Sequence, residues 1–267
     1  MLSAGTSSSL GIAGAQLRLS ALAALEYRVG FWSDGVVSVL WGLIGVAPLL
    51  VALDHRPDVA GWSAWELMVL TGCFMVVSGI YSALVQPALV KSMEHIRRGT
   101  LDFLLLRPAD PLVLCLTAEF MPWGLLESFV GGALVVVSLV VLGVAPSVGD
   151  LGGALVVFVA GIVALYALGI LALAVSFRAL RLHNITTLFE TLLDFARWPA
   201  GVFTGPLKAI FTFLIPFAVM TTQPAQGLLG RLDAGGIATA VATSLVLLIV
   251  ARVAWVRALR SYTSASS

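Results

Sequence analysis

The most polar stretch of this chain, SMEHIRRGTLDFLLLRPADP, covers the twenty positions from Ser92 to Pro111. The chain of 267 residues has only 15 Lys and Arg and 14 Asp and Glu. This stretch alone carries seven ionisable side chains: Glu94, His95, Arg97, Arg98, Asp102, Arg107 and Asp110. Such a concentration could support acid–base chemistry, metal binding or recognition of a charged partner.

Catalytic motifs do not accompany these charges. The three histidines form no HExxH pair, no GxSxG occurs, and the two cysteines lack CxxC spacing. Neither lysine follows a glycine, as a phosphate-binding P-loop requires. We therefore expect no enzyme activity, no metal and no cofactor in this chain.

The polar stretch is organised as a helix rather than as a plain connection. Leu89, Met93 and Ile96 stand at spacings of four and three and form one apolar stripe, while Glu94 and Arg98 can pair across one turn. Gly99 follows as a natural helix end. Two interpretations stay open: an element that docks on a partner, or a helix that lies on anionic headgroups.

The composition sets the surroundings of this stretch. The chain is 60% hydrophobic and 11% charged, with a mean hydropathy of +1.04, whereas soluble domains are about 45–50% apolar and about 25% charged. The sequence therefore predicts an all-α, polytopic integral membrane protein.

Membrane spans follow from the need for about 20 mostly apolar residues to cross about 30 Å of hydrocarbon. Asp110 and Pro111 form the start signal of the span that follows the polar loop of residues 90–110. The five clear segments are residues 32–53, 65–89, 111–142, 151–177 and 236–256.

A sixth crossing must lie in residues 185–222, a region too long for one span and interrupted by proline and glycine. We predict a span over residues 185–203, followed by a re-entrant outer segment, residues 207–222, that dips into the membrane and returns. The alternative lays Asn184 to Trp198 along the inner surface and crosses with Leu207 to Thr222.

The orientation follows from Lys and Arg in the loops. With a cytoplasmic N-terminus the inner side receives ten of them and the outer side two, so six spans place both termini inside. The inner ten are Arg18, Arg28, Lys91, Arg97, Arg98, Arg107, Arg178, Arg181, Arg257 and Arg260. Residues 12–30 mix charges with Leu and Ala, which predicts an interfacial helix in contact with membrane lipid.

Charges inside the predicted spans form two further candidate sites. Glu190, Asp194 and Arg197 are spaced to share one helical face, where Arg197 could pair with Asp194. They are either a structural ion pair or part of a substrate path. Glu119 and Glu127 flank a kink expected at Pro122 and are the carboxylates that a proton-coupled carrier would use.

Five segments, in this order, resemble a family of bacterial ABC exporter permeases, the type-2 or ABC-2-like permeases. The segments are LEYRVGF at 25–31, IRRGTLDFLLLRPADPL at 96–112, FARWPAGVF at 195–203, IPFAVMTTQPAQGLLG at 215–230 and AWVRALRSYTSAS at 254–266. The resemblance therefore extends over nearly the whole chain.

The resemblance implies a six-span subunit of the bacterial inner membrane that has no ATPase domain. It implies a second permease, identical or related, and separate cytoplasmic ATPase subunits that bind ATP and Mg²⁺, with no nucleic-acid partner. The interfacial helix would be the family's elbow helix. The family's coupling element would comprise Lys91, Met93, Glu94, His95, Ile96, Arg97 and Arg98.

The resemblance favours an ATP-driven exporter over two other functions. One is a secondary transporter driven by protons through Glu119 and Glu127. The other is a membrane scaffold that recruits a cytoplasmic partner and forms no substrate path.

Overall fold

A computed structural model describes residues 11–12, 14–22, 58–107, 109–177, 183–211 and 215–260, with isolated positions 33, 36, 37, 40, 44 and 51. Regular structure in these residues is helical, apart from a single bridge between Val59 and Trp62. Four of the described helices are long and apolar enough to cross a membrane: Ala64–Arg98, Gly124–Leu142, Val148–Ser176 and Ala234–Arg260. The all-helical membrane architecture is therefore confirmed.

The helix Ala64–Arg98 is 35 residues long and consists of three continuous parts. Helix α1 (Ala64–Ile80) leads through a π turn (Tyr81–Val85) into α2 (Gln86–Arg98). Pro87 has no N–H for the carbonyl of Ala83, and that carbonyl accepts the amide of Met121 at 2.9 Å. The loop helix that was predicted as a separate element is therefore the continuation of this helix, and the end of the span at residue 89 stays a prediction.

The next predicted span, residues 111–142, is also not one helix. Helix α3 (Asp102–Leu105) precedes α4 (Pro111–Leu116), and α5 (Gly124–Leu142) begins only after seven non-helical residues, 117–123. Pro122 has no backbone N–H, so a helix that continued through it would lose one of its hydrogen bonds. The kink expected there is a full break.

Helices α6 (Val148–Ser176) and α10 (Ala234–Arg260) agree closely with the predicted spans 151–177 and 236–256. A capping box between Ser147 and Asp150 starts α6. The two helices pack together, and Trp255 near the end of α10 meets the Phe177 ring edge-on at 5.6 Å.

Residues 183–211 and 215–228 form short helices instead of one long helix. Helix α7 (His183–Asp194) is followed by 3-10 turns at Phe195–Arg197 and Ala200–Val202. Trp198 is extended because the following Pro199 disfavours helical geometry before it. The prediction of one helix over residues 185–203 is corrected.

The contacts of this region show its path. Phe189 stacks on Tyr81, Arg197 lies over Phe74, and Gly201 approaches Ala60, so the segment runs beside α1 toward its N-terminal end. The predicted span over residues 185–203 and its alternative, which lays Asn184 to Trp198 along the inner surface, both stay predictions.

The chain then doubles back through α8 (Gly205–Ala209), and Phe211 stacks on Phe195. A π turn (Ala218–Thr222) and α9 (Gln223–Leu228) return it toward the N-terminal ends of α1 and α6. The Thr221 hydroxyl donates to the carbonyl of Ala196 at 2.6 Å and holds the two arms together.

Close backbone approaches join the long helices. A Cβ added to Gly131 of α5 would lie 2.7 Å from the carbonyl oxygen of Gly72 on α1, and one at Gly161 would lie 2.9 Å from the Met220 Cα. Small residues therefore allow these helices to pack at backbone distance.

Two predicted elements are described only in part. Residues 11–12 and 14–22 are helical, and Thr117 donates to the Gln16 side chain at 3.2 Å. The remainder of the predicted interfacial helix, residues 23–30, and most of the predicted first span, residues 32–53, lie outside the described residues.

Candidate functional site

The predicted coupling residues occupy the last two turns of the 35-residue helix. Their side chains divide by face: Lys91, Arg97 and Arg98 are exposed, whereas Met93 is only 2% exposed. Between these extremes, Glu94, His95 and Ile96 are half-buried. The end of α2 therefore presents a cationic face whose opposite side is part of the protein core.

The buried side attaches this helix end to its neighbours. Leu89 and Met93 belong to the central hydrophobic cluster, and Ile96 packs against it. The hydroxyl of Ser92 donates to the carbonyl of Cys115 in α4 at 2.9 Å. The predicted apolar stripe is present, and it faces protein.

The exposed side contains one local ion pair. The Arg98 guanidinium meets the Glu94 carboxylate at 2.5 Å, as the spacing of four residues predicts. This pair is largely solvent-exposed, so it adds little stability. Because Glu94 is the one acidic residue among Lys91, Arg97 and Arg98, the helix end keeps an excess of positive charge.

The helix ends at Gly99, as predicted. Gly99 has φ 68°, and its amide donates to the Ile96 carbonyl. The next residue, Thr100, donates its amide to the His95 carbonyl and its hydroxyl lies 2.8 Å from His95 Nδ1. These hydrogen bonds end α2 and lead into α3.

Helix α3 contains exposed apolar residues that the sequence patterns did not single out. Leu101 and Leu104 are buried in the central cluster, whereas Phe103 and Leu106 are 70% and 82% exposed. Within each pair the two residues are three positions apart, which is the spacing of one helical face. Because residues 103–106 are all apolar, this spacing does not show which pair is buried and which is exposed.

An ion pair joins the end of the polar loop to the last helix. Arg252 in α10 contacts both carboxylate oxygens of Asp110, at 2.7 and 3.3 Å, while Asp110 caps α4 by accepting the Leu112 amide. Desolvation would raise the Asp110 pKa, but hydrogen bonds from Arg252 and Leu112 lower it below its ordinary value. Sequence reasoning identified the cap and missed Arg252.

The predicted pairing of Arg197 with Asp194 is present at 2.5 Å. The Arg197 guanidinium also lies 5.1 Å from the centre of the Phe74 ring. Asp194 remains 61% exposed at its side chain.

Glu190 does not join that pair. It accepts a hydrogen bond of 2.6 Å from the Gln86 side chain at the start of α2. The three charges were expected on one face, but they have two sets of contacts. Arg197, paired with Asp194, lies over Phe74 of α1, whereas Glu190 contacts Gln86 of α2.

Glu119 and Glu127 lie in different settings. Glu119 is half-buried in the break before α5, and Glu127 is 6% exposed in the first turn of α5. Within the described residues, no cluster of His, Cys, Asp and Glu could hold a metal ion.

A small apolar cavity lies beside α7, between α6 and residues 215–217. Its volume is about 70 Å³, and its lining is Leu168, Phe189, Leu192, Leu193, Ile215 and Phe217. Binding pockets for small molecules usually measure about 300–1,000 Å³. This cavity is therefore too small to hold a typical ligand.

Comparison with known proteins supplies independent evidence about the family of this chain. A family model described as ABC-2 family transporter protein matches residues 41–266, more than four-fifths of the chain. The searches of curated proteins and of solved structures each found no significant match.

Proposed function

The chain belongs to the ABC-2 family of transporter proteins, and on that premise we propose that it is the permease subunit of an ATP-driven exporter. It works in the bacterial inner membrane, with both termini cytoplasmic, as a homo- or heterodimer with a second permease. Separate cytoplasmic ATPase subunits bind ATP and Mg²⁺.

The main observation that supports this proposal is that one helix continues from Ala64 to Arg98. At about 1.5 Å per residue its 35 residues extend roughly 52 Å. A bilayer with its headgroups measures about 40–45 Å. A helix that starts at the outer surface therefore reaches the inner aqueous phase with its cationic end.

The same continuity supports mechanical coupling. Leu67 near the outer end and Met93 near the inner end are both buried in one uninterrupted helix. A push on Arg97 and Arg98 by an ATPase is transmitted along this helix to the membrane-embedded core. The half-buried Glu94, His95 and Ile96 position that cationic end.

We assign the substrate path to the exposed face of α7. Thr187, Thr191 and Asp194 are exposed at spacings of four and three, so they lie on one side of the helix. Asp194 neighbours Arg197, which lies over Phe74 in the middle part of α1. The Asp194–Arg197 ion pair is costly against lipid, so we propose that this side of α7, which also carries the exposed Leu188, borders a passage shared with the second permease.

The remaining elements complete a six-span topology in this proposal. Residues 32–53 form the first span, and residues 183–203 form the fifth crossing from short helical pieces. The doubled-back segment of residues 207–222 is the re-entrant outer element, which is supported by its return toward the N-terminal end of α6.

The decisive experiment reverses Arg97 and Arg98 to Glu in the complex assembled with its ATPase. Permease-dependent stimulation of ATP hydrolysis should fall at least roughly tenfold, because the proposal implies an acidic docking surface on the partner, which the reversed charges would repel. A matched control reverses Arg257 and Arg260, two exposed arginines at the inner end of α10.

The control variant should keep its stimulation, and both variants should insert in the membrane. If the Arg97 and Arg98 reversal leaves coupled ATP hydrolysis unchanged, the assigned coupling surface is wrong.

A further inference from the structure

We propose that the carboxylate of Glu190 binds the positively charged group of the transported substrate, and that the substrate class is a protonated amine carried on an apolar body. This inference rests on the proposed function, because it names the substrate class of the path assigned to the exposed face of α7. Glu190 lies outside all five segments that carry the family resemblance.

The first argument is the missing countercharge of Glu190. Its Oε1 accepts a hydrogen bond of 2.6 Å from the side-chain amide of Gln86, which is neutral. Arg197, the nearby cation in the same segment, is paired with Asp194 instead. Among the described residues, no Lys, Arg or His forms an ion pair with Glu190, and its Oε2 accepts no hydrogen bond. A carboxylate withdrawn from water needs such a partner, so a bound cation would complete this site.

The second argument is the depth of Glu190 in the membrane. Its partner Gln86 lies 22 positions after Ala64, which is roughly 33 Å along the helix Ala64–Arg98. With Ala64 at the outer surface, Gln86 and Glu190 lie inside a bilayer that measures about 40–45 Å with its headgroups. Carboxylates at such depth mark substrate and ion pathways. Glu190 is half-buried rather than enclosed in the core, so a ligand in the passage can reach it.

The third argument is a second polar group without a partner beside Glu190. Tyr81 begins the π turn, and its ring stacks on Phe189 with the ring centres 5.1 Å apart. Tyr81 is only 4% exposed, and its hydroxyl has no hydrogen-bond partner among the described residues. This hydroxyl interacts electrostatically with the Glu190 carboxylate. Because π turns are frequent at functional sites and buried polar groups rarely lack partners, both features indicate a binding site here.

The fourth argument is the arrangement of side chains around α7, which determines the class of ligand. At about 100° per residue, Glu190 lies at one edge of the exposed face, and Thr187 and Thr191 lie in its middle. Leu188 and Phe195, 58% and 40% exposed, form the opposite edge. A ligand that lies across this face meets a carboxylate at one end and apolar side chains at the other. That order fits an amine on an apolar body.

The experiment measures ligand binding by the full-length chain in phosphatidylcholine nanodiscs, with empty nanodiscs as the blank. The probe is dansylcadaverine, which joins an aromatic body to a primary amine that is protonated at pH 7. Its N-acetyl derivative has the same body without the charge. Fluorescence titration gives the Kd of each compound. The amine should bind at least roughly tenfold more tightly than the N-acetyl derivative, because only the amine can form a charge-assisted hydrogen bond with Glu190.

Two variants test whether this preference comes from Glu190. Glu190→Gln keeps the shape of the side chain and an oxygen that can accept from Gln86, so it should fold. It should bind the two compounds with equal affinity. The matched control is Glu127→Gln, which removes another carboxylate, 6% exposed on the membrane helix α5, and should keep the preference. Comparing ligand charge with side-chain charge in this way isolates the contact between them.

The inference is wrong if the unchanged chain does not prefer the amine, if the preference persists in Glu190→Gln, or if Glu127→Gln abolishes it equally. Since these titrations contain no ATPase, their outcome is separate from that of the proposed function. If the permease stimulates ATP hydrolysis normally but does not prefer the amine, only this inference fails. If the assembled complex shows no stimulation, the proposed function fails, whatever the titrations show.

Discussion

Arg252 and Asp110, 142 positions apart in sequence, form a two-pronged ion pair with Nη2–Oδ2 at 2.7 Å and Nη1–Oδ1 at 3.3 Å. Asp110 also caps α4, so one carboxylate joins the polar loop to both α4 and α10. The pair therefore fixes the loop that follows α2 to the long helix α10.

The dual role of Asp110 predicts unequal losses of stability. Arg252→Ala should lower the free energy of unfolding by about 0.5–1 kcal/mol, since the pair is partly exposed. Asp110→Ala should lower it by roughly 1 kcal/mol more, because the cap is also lost. Thermal unfolding in detergent measures both. Equal losses would show that the cap adds nothing.

The depressed pKa of Asp110 predicts a pH dependence. Because the folded state favours the carboxylate, its contribution is fully present above the ordinary pKa of 3.8 and disappears as pH falls through the lower folded-state pKa. Asp110→Asn should therefore be less stable than the unchanged chain at pH 7. The two should be equally stable at a pH below the folded-state pKa of Asp110. A constant difference across pH would contradict this assignment.

Close packing of α1 and α5 predicts different effects at two adjacent glycines. In Gly131→Ala, the new methyl would meet the Gly72 carbonyl oxygen and the Met75 Cβ at 2.7 Å, so we expect a loss of roughly 1–3 kcal/mol. A Cβ added to Gly132 would meet no atom of another packed element within 4 Å, so Gly132→Ala should be neutral or stabilising. Similar unfolding midpoints for the two variants would argue against this interface.

The proposed ATP-driven mechanism predicts a mild effect of Glu127→Gln on transport. The substitution preserves the shape of this buried side chain and removes its ability to carry a proton. Transport by the assembled complex should keep its dependence on ATP and fall less than roughly threefold. Transport by the permease alone, driven by a pH gradient and abolished by Glu127→Gln, would establish the proton-coupled alternative.

The proposed passage predicts a pattern of chemical accessibility on α7. Thr191→Cys should react with a membrane-impermeant thiol reagent in the assembled transporter, because Thr191 lies on the exposed polar face. Leu193→Cys should not react, since Leu193 is buried in the central cluster. The test is made in a variant without Cys73 and Cys115, which are both buried. An unreactive Thr191→Cys would place lipid or protein against this face.

Local sequence signals predicted the ends of elements well. Gly99 ends α2 and Asp110 starts α4 because capping depends on a few neighbouring residues. The paired Arg197 and Asp194 were predicted for the same reason. By contrast, hydropathy could not detect the break before α5 or the continuity from α1 to α2, since apolar residues occupy helices and breaks alike.

Composition and hydropathy alone were enough to predict an all-helical membrane protein with a charged segment between apolar spans. They were enough because the bilayer imposes hydrophobicity and length on every crossing helix. The contacts of Arg252 with Asp110 and of Glu190 with Gln86, and the exposure of Phe103 and Leu106, became visible in the folded chain alone. Such contacts depend on how distant helices pack, and no local pattern specifies that packing.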